Sequence, residues 1–138
     1  MGDQYITGGY GNDVLYTGSE VVGDSIFVYG DLNEAGTLIT DFNLERGQAN
    51  DGDDIIDIGD GNSLAVDILA FGQGGNDKVI GGIGSDDQNG NAVEEKLYGG
   101  DGDDKVWAHN PGQFEDDGLN YLYGNNGNDI IYGSQGED

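Results

Sequence analysis

GGDGDDKVW (residues 99–107) and GGYGNDVLY (residues 8–16) are two copies of one nine-residue pattern. The pattern is Gly-Gly-x-Gly-x-Asp-x-U-x, where U is a large apolar residue. GQGGNDKVI (72–80) and GNNGNDIIY (124–132) each lack only the second glycine. GGIGSDDQN (81–89) keeps the turn but has Gln88 in place of the apolar residue. The first six residues must fold back sharply, and glycine permits the positive φ angles such a turn needs. The last three form a very short strand whose middle residue points inward, because strand side chains alternate. That inner position is held by Leu15, Val79, Val106 and Ile131, all apolar strand formers.

Each turn also concentrates oxygen. Glycines leave backbone carbonyls uncovered, and the sixth position adds a carboxylate, so the donor set is oxygen only and suits calcium. The first position is Gly8, Gly72, Gly81, Gly99 or Gly124, and the third is Tyr10, Gly74, Ile83, Asp101 or Asn126. The sixth is Asp13, Asp77, Asp86, Asp104 or Asp129. These fifteen positions are the core of the candidate metal-ligand set. A further turn is read at residues 51–54, with Ala49 and Asn50 in place of its leading glycines and Asp51 and Asp54 as candidate ligands.

The turn aspartates keep a common phase. Asp77 and Asp86 are nine residues apart, and Asp104 follows eighteen later. Glu95 occupies the intervening position, with Leu97 in phase with the inner residues. Asn120 lies nine residues before Asp129, with Leu122 in phase, and Asp138 lies nine after it. Glu95 and Asp138 therefore join the candidate ligands. A disordered Gly/Asp linker does not explain phase-locked apolar residues.

On these repeats the chain resembles the repeats-in-toxin (RTX) or haemolysin-type calcium-binding proteins. The resemblance implies an all-β fold, a parallel β-roll or right-handed β-helix of nonapeptide repeats with inserted loops and extra strands, binding several calcium ions. It further implies that residues eighteen apart stack, so that Asp86 and Asp104 flank one ion, Asp77 and Glu95 another, and Asn120 and Asp138 a weaker third. By the same resemblance, such modules leave the cell unfolded by type I secretion and fold on meeting extracellular calcium. Their partners are then calcium and the remainder of a parent polypeptide.

Composition agrees with an ion-dependent fold. The chain carries 28 acidic residues against 4 basic ones, a formal charge of −24. It repels itself when compact, and without a cation its charge and glycine content match those of disordered chains. The same charge argues against nucleic acid and against anionic membrane surfaces, and no apolar run is long enough to cross a membrane. There is no cysteine, hence no disulfide and no thiolate site. No secretory signal precedes the repeats.

By length the 138 residues form one module. Two segments interrupt its repeats. Residues 16–50 form a strand-containing insertion, with strands expected at 23–31 and 37–43; the wording DSIFVY…LITDF followed by DDIIDI is similar to the segment ending many RTX modules, where extra strands lie against the roll. Residues 108–117 read as a loop insertion, and residues 63–71 as another strand region. The sequence ends within a repeat, which predicts a fragment of a larger protein, secreted or at the cell surface.

Other chemistry fits poorly. An EF-hand pattern begins at Asp51 and Asp53 but breaks at Ile55. His109, the only histidine, sits in a turn-like AHNPG segment, which leaves no zinc or triad constellation. The carboxylates are accounted for by ion binding, so the chain is not expected to be an enzyme. Ice binding would call for threonine at the third turn position, where there is none. The alternative reading is a carbohydrate-binding accessory module with a polysaccharide partner, and its mark would be an exposed aromatic row on one sheet.

Overall fold

The computed structural model describes residues 4–16, 26–31, 52–58, 67–82, 94–109 and 119–133. Ten strands alternate in length along the chain. The longer ones are β1 (Gln4–Gly9), β3 (Ile26–Asp31), β5 (Ile68–Gly74), β7 (Glu94–Asp101) and β9 (Leu119–Asn126). Each is followed by a short one: β2 (Val14–Tyr16), β4 (Ile55–Asp57), β6 (Lys78–Ile80), β8 (Lys105–Trp107) and β10 (Ile130–Tyr132). The odd strands form one sheet in the order β1-β3-β5-β7-β9, and the even strands a second, β10-β8-β6-β4-β2. Every pairing is parallel. An odd strand, its turn and the next even strand make one rung, and five rungs stack into a parallel β-roll. The described residues contain no helix, as the glycine density predicts.

Alternation builds the core. In each even strand the middle residue faces the opposite sheet: Leu15, Ile56, Val79 and Val106 are buried, against Val28, Ala70 and Leu97 from the odd strands. Ile6 and Leu122 pack against this file. Ile131 holds the same inner position but is 47 % exposed, β10 being the last strand of its sheet among the described residues. The core is a single file of side chains, renewed at every rung.

The expected stacking interval of eighteen residues is corrected. Asp77 stands next to Asp104 and Asp104 next to Asp129, 27 and 25 residues apart. Earlier rungs are offset by 41 and 23 residues. The surplus lies mostly in the connections from even to odd strands, while the turns from odd to even strands stay short. The second rung is the exception, since its turn also spans residues 32–51. Insertions thus lengthen a rung without breaking its register with its neighbours. The strand expected at 23–31 is β3, which joins the roll as a rung between β1 and β5 rather than lying against it. The expected strand at 37–43 and most of the loop insertion lie outside the described residues.

The second position of the turn explains two departures from the nonapeptide. Gly9 and Gly100 have φ of 122° and 133° there, and Gln73 and Asn125 adopt 87° and 78°. Left-handed backbone costs a non-glycine residue roughly 1–2 kcal/mol, and asparagine bears it better than most. The fold tolerates the substitutions because pairing with the neighbouring rung, Gln73 and Asn125 each lying opposite Gly100, holds the turn in place.

Candidate metal centre

Each complete nonapeptide turn falls on one edge of the roll, between an odd strand and the following even one. Its sixth-position residues stack into a file: Asp13, Asp54, Asp77, Asp104 and Asp129. Along this file the backbone N–H of each aspartate donates to Oδ1 of the next: Asp13 to Asp54, Asp54 to Asp77 and Asp77 to Asp104 at 2.8 Å, and Asp104 to Asp129 at 3.0 Å. One carboxylate oxygen therefore staples each rung to its neighbour.

The second oxygen turns toward the first-position glycine of its own turn. A Cβ built on Gly72, Gly99 or Gly124 would collide with Oδ2 of Asp77, Asp104 or Asp129, and one on Gly30 with Oδ2 of Asp54. These glycines are bare because the carboxylate occupies the space a side chain would take. Oδ2 of Asp13 and of Asp104 is buried with no hydrogen-bond partner. A buried anionic oxygen left in that state is strongly unfavourable, and a cation is the group that relieves it.

Asp104 shows the strain of the arrangement. Burial pushes its carboxyl up to about 6, opposed by the Asp77 N–H and reinforced by Asp129, Asp103 and Asp101. A folded-state value above the ordinary 3.8 means that the folded chain holds this proton more tightly than the unfolded one. The resulting stability is full below the ordinary value and is lost as pH rises through the folded one. In chelator, strand content followed by circular dichroism is expected to increase as pH falls from neutral through this window. Strand content that is unchanged or falls would contradict it. Calcium affinity is expected to weaken over the same window, because proton and ion compete for one oxygen.

All the donors on this edge are oxygen, from one carboxylate per turn and from bare backbone carbonyls, a set that suits a hard cation. Among the described residues no three His, Cys, Asp or Glu side chains converge. The residues that could hold a cation here are the inner-file aspartates, with the turn carbonyls as further oxygen ligands. Third-position carbonyls already serve the roll: Asp101 O accepts from Gly75 N–H at 3.0 Å and Asn126 O from Gly102 N–H at 2.8 Å. Each keeps a second lone pair.

The expected pairs are redrawn accordingly. Asp104 neighbours Asp77 and Asp129; its expected partner Asp86 lies outside the described residues, as do Asp51, Ile83 and Asp138. Asp77 does not pair with Glu95, whose register partners are Ile68 and Asn120 in the odd-strand sheet. Glu95 sits on the opposite edge, fully buried, accepting from Gly82 N–H at 3.1 Å. There a Cβ on Gly81 would lie 2.6 Å from Glu95 Oε2, so the glycine–carboxylate contact recurs on that edge. Of the remaining candidates, Gly8 faces Asp13 as the other first-position glycines face their aspartates, whereas Tyr10 is exposed at the surface of the first turn.

Two features escaped sequence reasoning. Gly30 is the first-position glycine of the second rung, separated in sequence from its carboxylate Asp54. The signal was the apolar–x–Gly run Val28-Tyr29-Gly30, which matches Ile6-Thr7-Gly8. The other is a solvent-facing ladder at the fifth turn position, Asn12, Asp53, Asn76, Asp103 and Asn128. Here each backbone N–H donates to Oδ1 of the preceding rung, at 2.7–3.2 Å. Its signal was that every occupant is Asn or Asp.

The two files separate ligand from scaffold. Asp104→Ala is expected to weaken calcium binding roughly tenfold or more, since ligand charge sets affinity at such sites. Asp103→Ala, one residue away on the exposed ladder, is expected to change it little. Equal losses in parallel calorimetric titrations would show that the inner file is not the ligand file.

Four copies of the family described as the RTX calcium-binding nonapeptide repeat match residues 1–19, 69–88, 89–110 and 116–138, together more than half of the chain. No curated protein and no solved structure matches it.

Proposed function

The chain belongs to the RTX calcium-binding nonapeptide repeat family, and on that premise we propose that this calcium-binding β-roll is a folding switch and spacer within a larger exported polypeptide. The observation that carries the reading is the inner aspartate file, with buried Oδ2 atoms at Asp13 and Asp104 that no hydrogen bond satisfies. In the unfolded chain these carboxylates are hydrated and far apart. Stacking the rungs brings them together in a space that excludes water, within a chain of net charge −24. Calcium supplies the compensating positive charge, so ion binding and folding are one equilibrium. The chain then stays expanded where calcium is scarce and folds where it is abundant, as suits export followed by rigidification outside the cell. The family is a structural calcium-binding one, and no catalytic role is proposed.

The carbohydrate-binding alternative has less support. An aromatic row does run along the outer face of the odd-strand sheet, with Tyr29, Phe71, Tyr98 and Tyr123 stacked at centroid distances of 4.6–5.3 Å and planes within 10°. Stacked rings spend their faces on one another, and a sugar platform needs those faces open. On the other sheet, Trp107 is covered by Tyr132 at 5.0 Å on stacking and by Lys78 Nζ at 5.3 Å. The rows read as ladders that lock the rungs in register.

Equilibrium dialysis of the chain against radioactive calcium, with excess magnesium as competitor, tests the proposal. Several calcium ions retained per chain in the presence of magnesium are expected. Absence of binding, or full displacement by magnesium, would overturn it.

A further inference from the structure

At the third turn position Asn126 is followed by Gly127, and Asp101 lies directly opposite it in the parallel register. An asparagine before glycine is open to a one-way reaction, because no Cβ hinders the nitrogen that follows. The Gly127 backbone nitrogen attacks Asn126 Cγ, and the side-chain nitrogen leaves as ammonia with the proton from Gly127. Water then opens the five-membered imide at either carbonyl, giving aspartate or isoaspartate. The other described asparagines lack this neighbour: Asn12, Asn76 and Asn128 precede aspartate, Asn125 precedes asparagine and Asn120 precedes tyrosine. A second Asn-Gly pair, Asn89-Gly90, lies outside the described residues.

The folded roll restrains every group that must move. Asn126 Nδ2 donates to Asp101 Oδ1 at 2.8 Å, and Asn126 O accepts from Gly102 N–H at 2.8 Å. The carboxamide is thus tied to the neighbouring rung by a charge-assisted bond, and ring closure requires it to let go. Gly127 is held as well: its φ is 140°, and a Cβ there would collide with Gly102 O. The reaction therefore waits on local opening of the rung.

The products do not suit the place that the amide fits. A carboxylate at position 126 would face the Asp101 carboxylate across the register, where like charges repel. Isoaspartate lengthens the main chain by one methylene before Gly127. That shifts Asp129 away from Asp104 N–H, which donates to its Oδ1 at 3.0 Å.

We propose that Asn126 is a modification site, deamidated while the chain is unfolded and protected once its contact with Asp101 forms. Competence to fold then has a finite lifetime, and a chain kept unfolded loses this rung irreversibly. That calcium sets the lifetime rests on the folding-switch reading; protection by the fold does not.

The chain is aged at mildly alkaline pH in calcium, in chelator and in guanidinium chloride, with strand content followed by circular dichroism. Peptide mapping by mass spectrometry reads conversion at Asn126. Conversion in calcium is expected to be roughly tenfold slower, or more, than in denaturant, since it tracks the open population of the rung. In chelator it should match the denatured rate. A chain folded and protected in chelator would sink the calcium reading and leave this one standing. Equal conversion in calcium and denaturant would overturn the proposal, as would no conversion in any arm. So would a chain unfolded in chelator that leaves Asn126 intact. Aged in chelator and returned to calcium, the wild type should recover less strand signal than Asn126→Gln, whose longer amide cyclises poorly. Equal recovery with Asn126 converted would overturn the finite lifetime.

Discussion

Val106→Asp is expected to leave the chain unfolded even in saturating calcium. Val106 is fully buried and lies between Val79 and Ile131 in the inner file of the even-strand sheet. The core there is one side chain deep, so no second layer can reorganise around a charge. Removing the valine forfeits about 1.5–3 kcal/mol of apolar burial. Burying an unpaired carboxylate adds an effective penalty of several kcal/mol. Together these approach the whole stability of a domain of this size, roughly 5–15 kcal/mol. Val106→Ala, which loses volume without adding charge, should still fold in calcium with a lowered melting temperature. The pair separates burial from mere size. A Val106→Asp variant that folds in calcium, by circular dichroism and proton spectra, would mean that this face of β8 meets solvent.

Gly102→Ala is expected to have the next largest effect, by acting on the backbone. Gly102 holds the fourth turn position with φ of 145°, and a Cβ there would run into the carbonyl oxygen of Gly75 in the adjacent rung. The backbone conformation alone costs a side chain roughly 1–3 kcal/mol. The collision adds to that, because it is relieved only by parting the two rungs along the aspartate file. Gly11 supplies the control: it holds the same position in the first rung with φ of 88°, and a Cβ there meets nothing within 4 Å. Gly11→Ala should therefore lose the conformational part only. Thermal unfolding in calcium should rank Gly102→Ala clearly below Gly11→Ala. Equal melting temperatures would show that the rungs do not stack as closely as described.

Turn chemistry was the most legible level of this chain. A positive-φ turn followed by one inward residue imposes glycine, aspartate and an apolar residue at fixed spacing, and Gly99, Asp104 and Val106 stand where that spacing puts them. The phase of Glu95 and Leu97 was legible for the same reason, although their partners were not. Stacking depends on the full length of a rung. The connections at 17–25, 59–66 and 110–118 vary in length and carry no periodic mark, while 83–93 repeats the turn at Asp86 in phase with Asp77, so the nonapeptide count pointed to an eighteen-residue stack and could not reveal the 27-residue interval between Asp77 and Asp104. The second rung shows the limit most sharply. Gly30 and Asp54 belong to one turn in space, but the intervening residues separate them in sequence, and a contiguous reading assigned the leading positions to Ala49 and Asn50. Ile131 was legible as an inner residue, while its exposure goes with its place on the last described strand of its sheet.

Under the proposed function, the buried aspartate file couples calcium binding to folding. Circular dichroism during a calcium titration, with magnesium as control, tests it most directly. A cooperative change from coil to strand signal, produced by calcium and not by magnesium, is predicted. A chain with full strand signal in chelator at neutral pH, unchanged by calcium, would contradict the account.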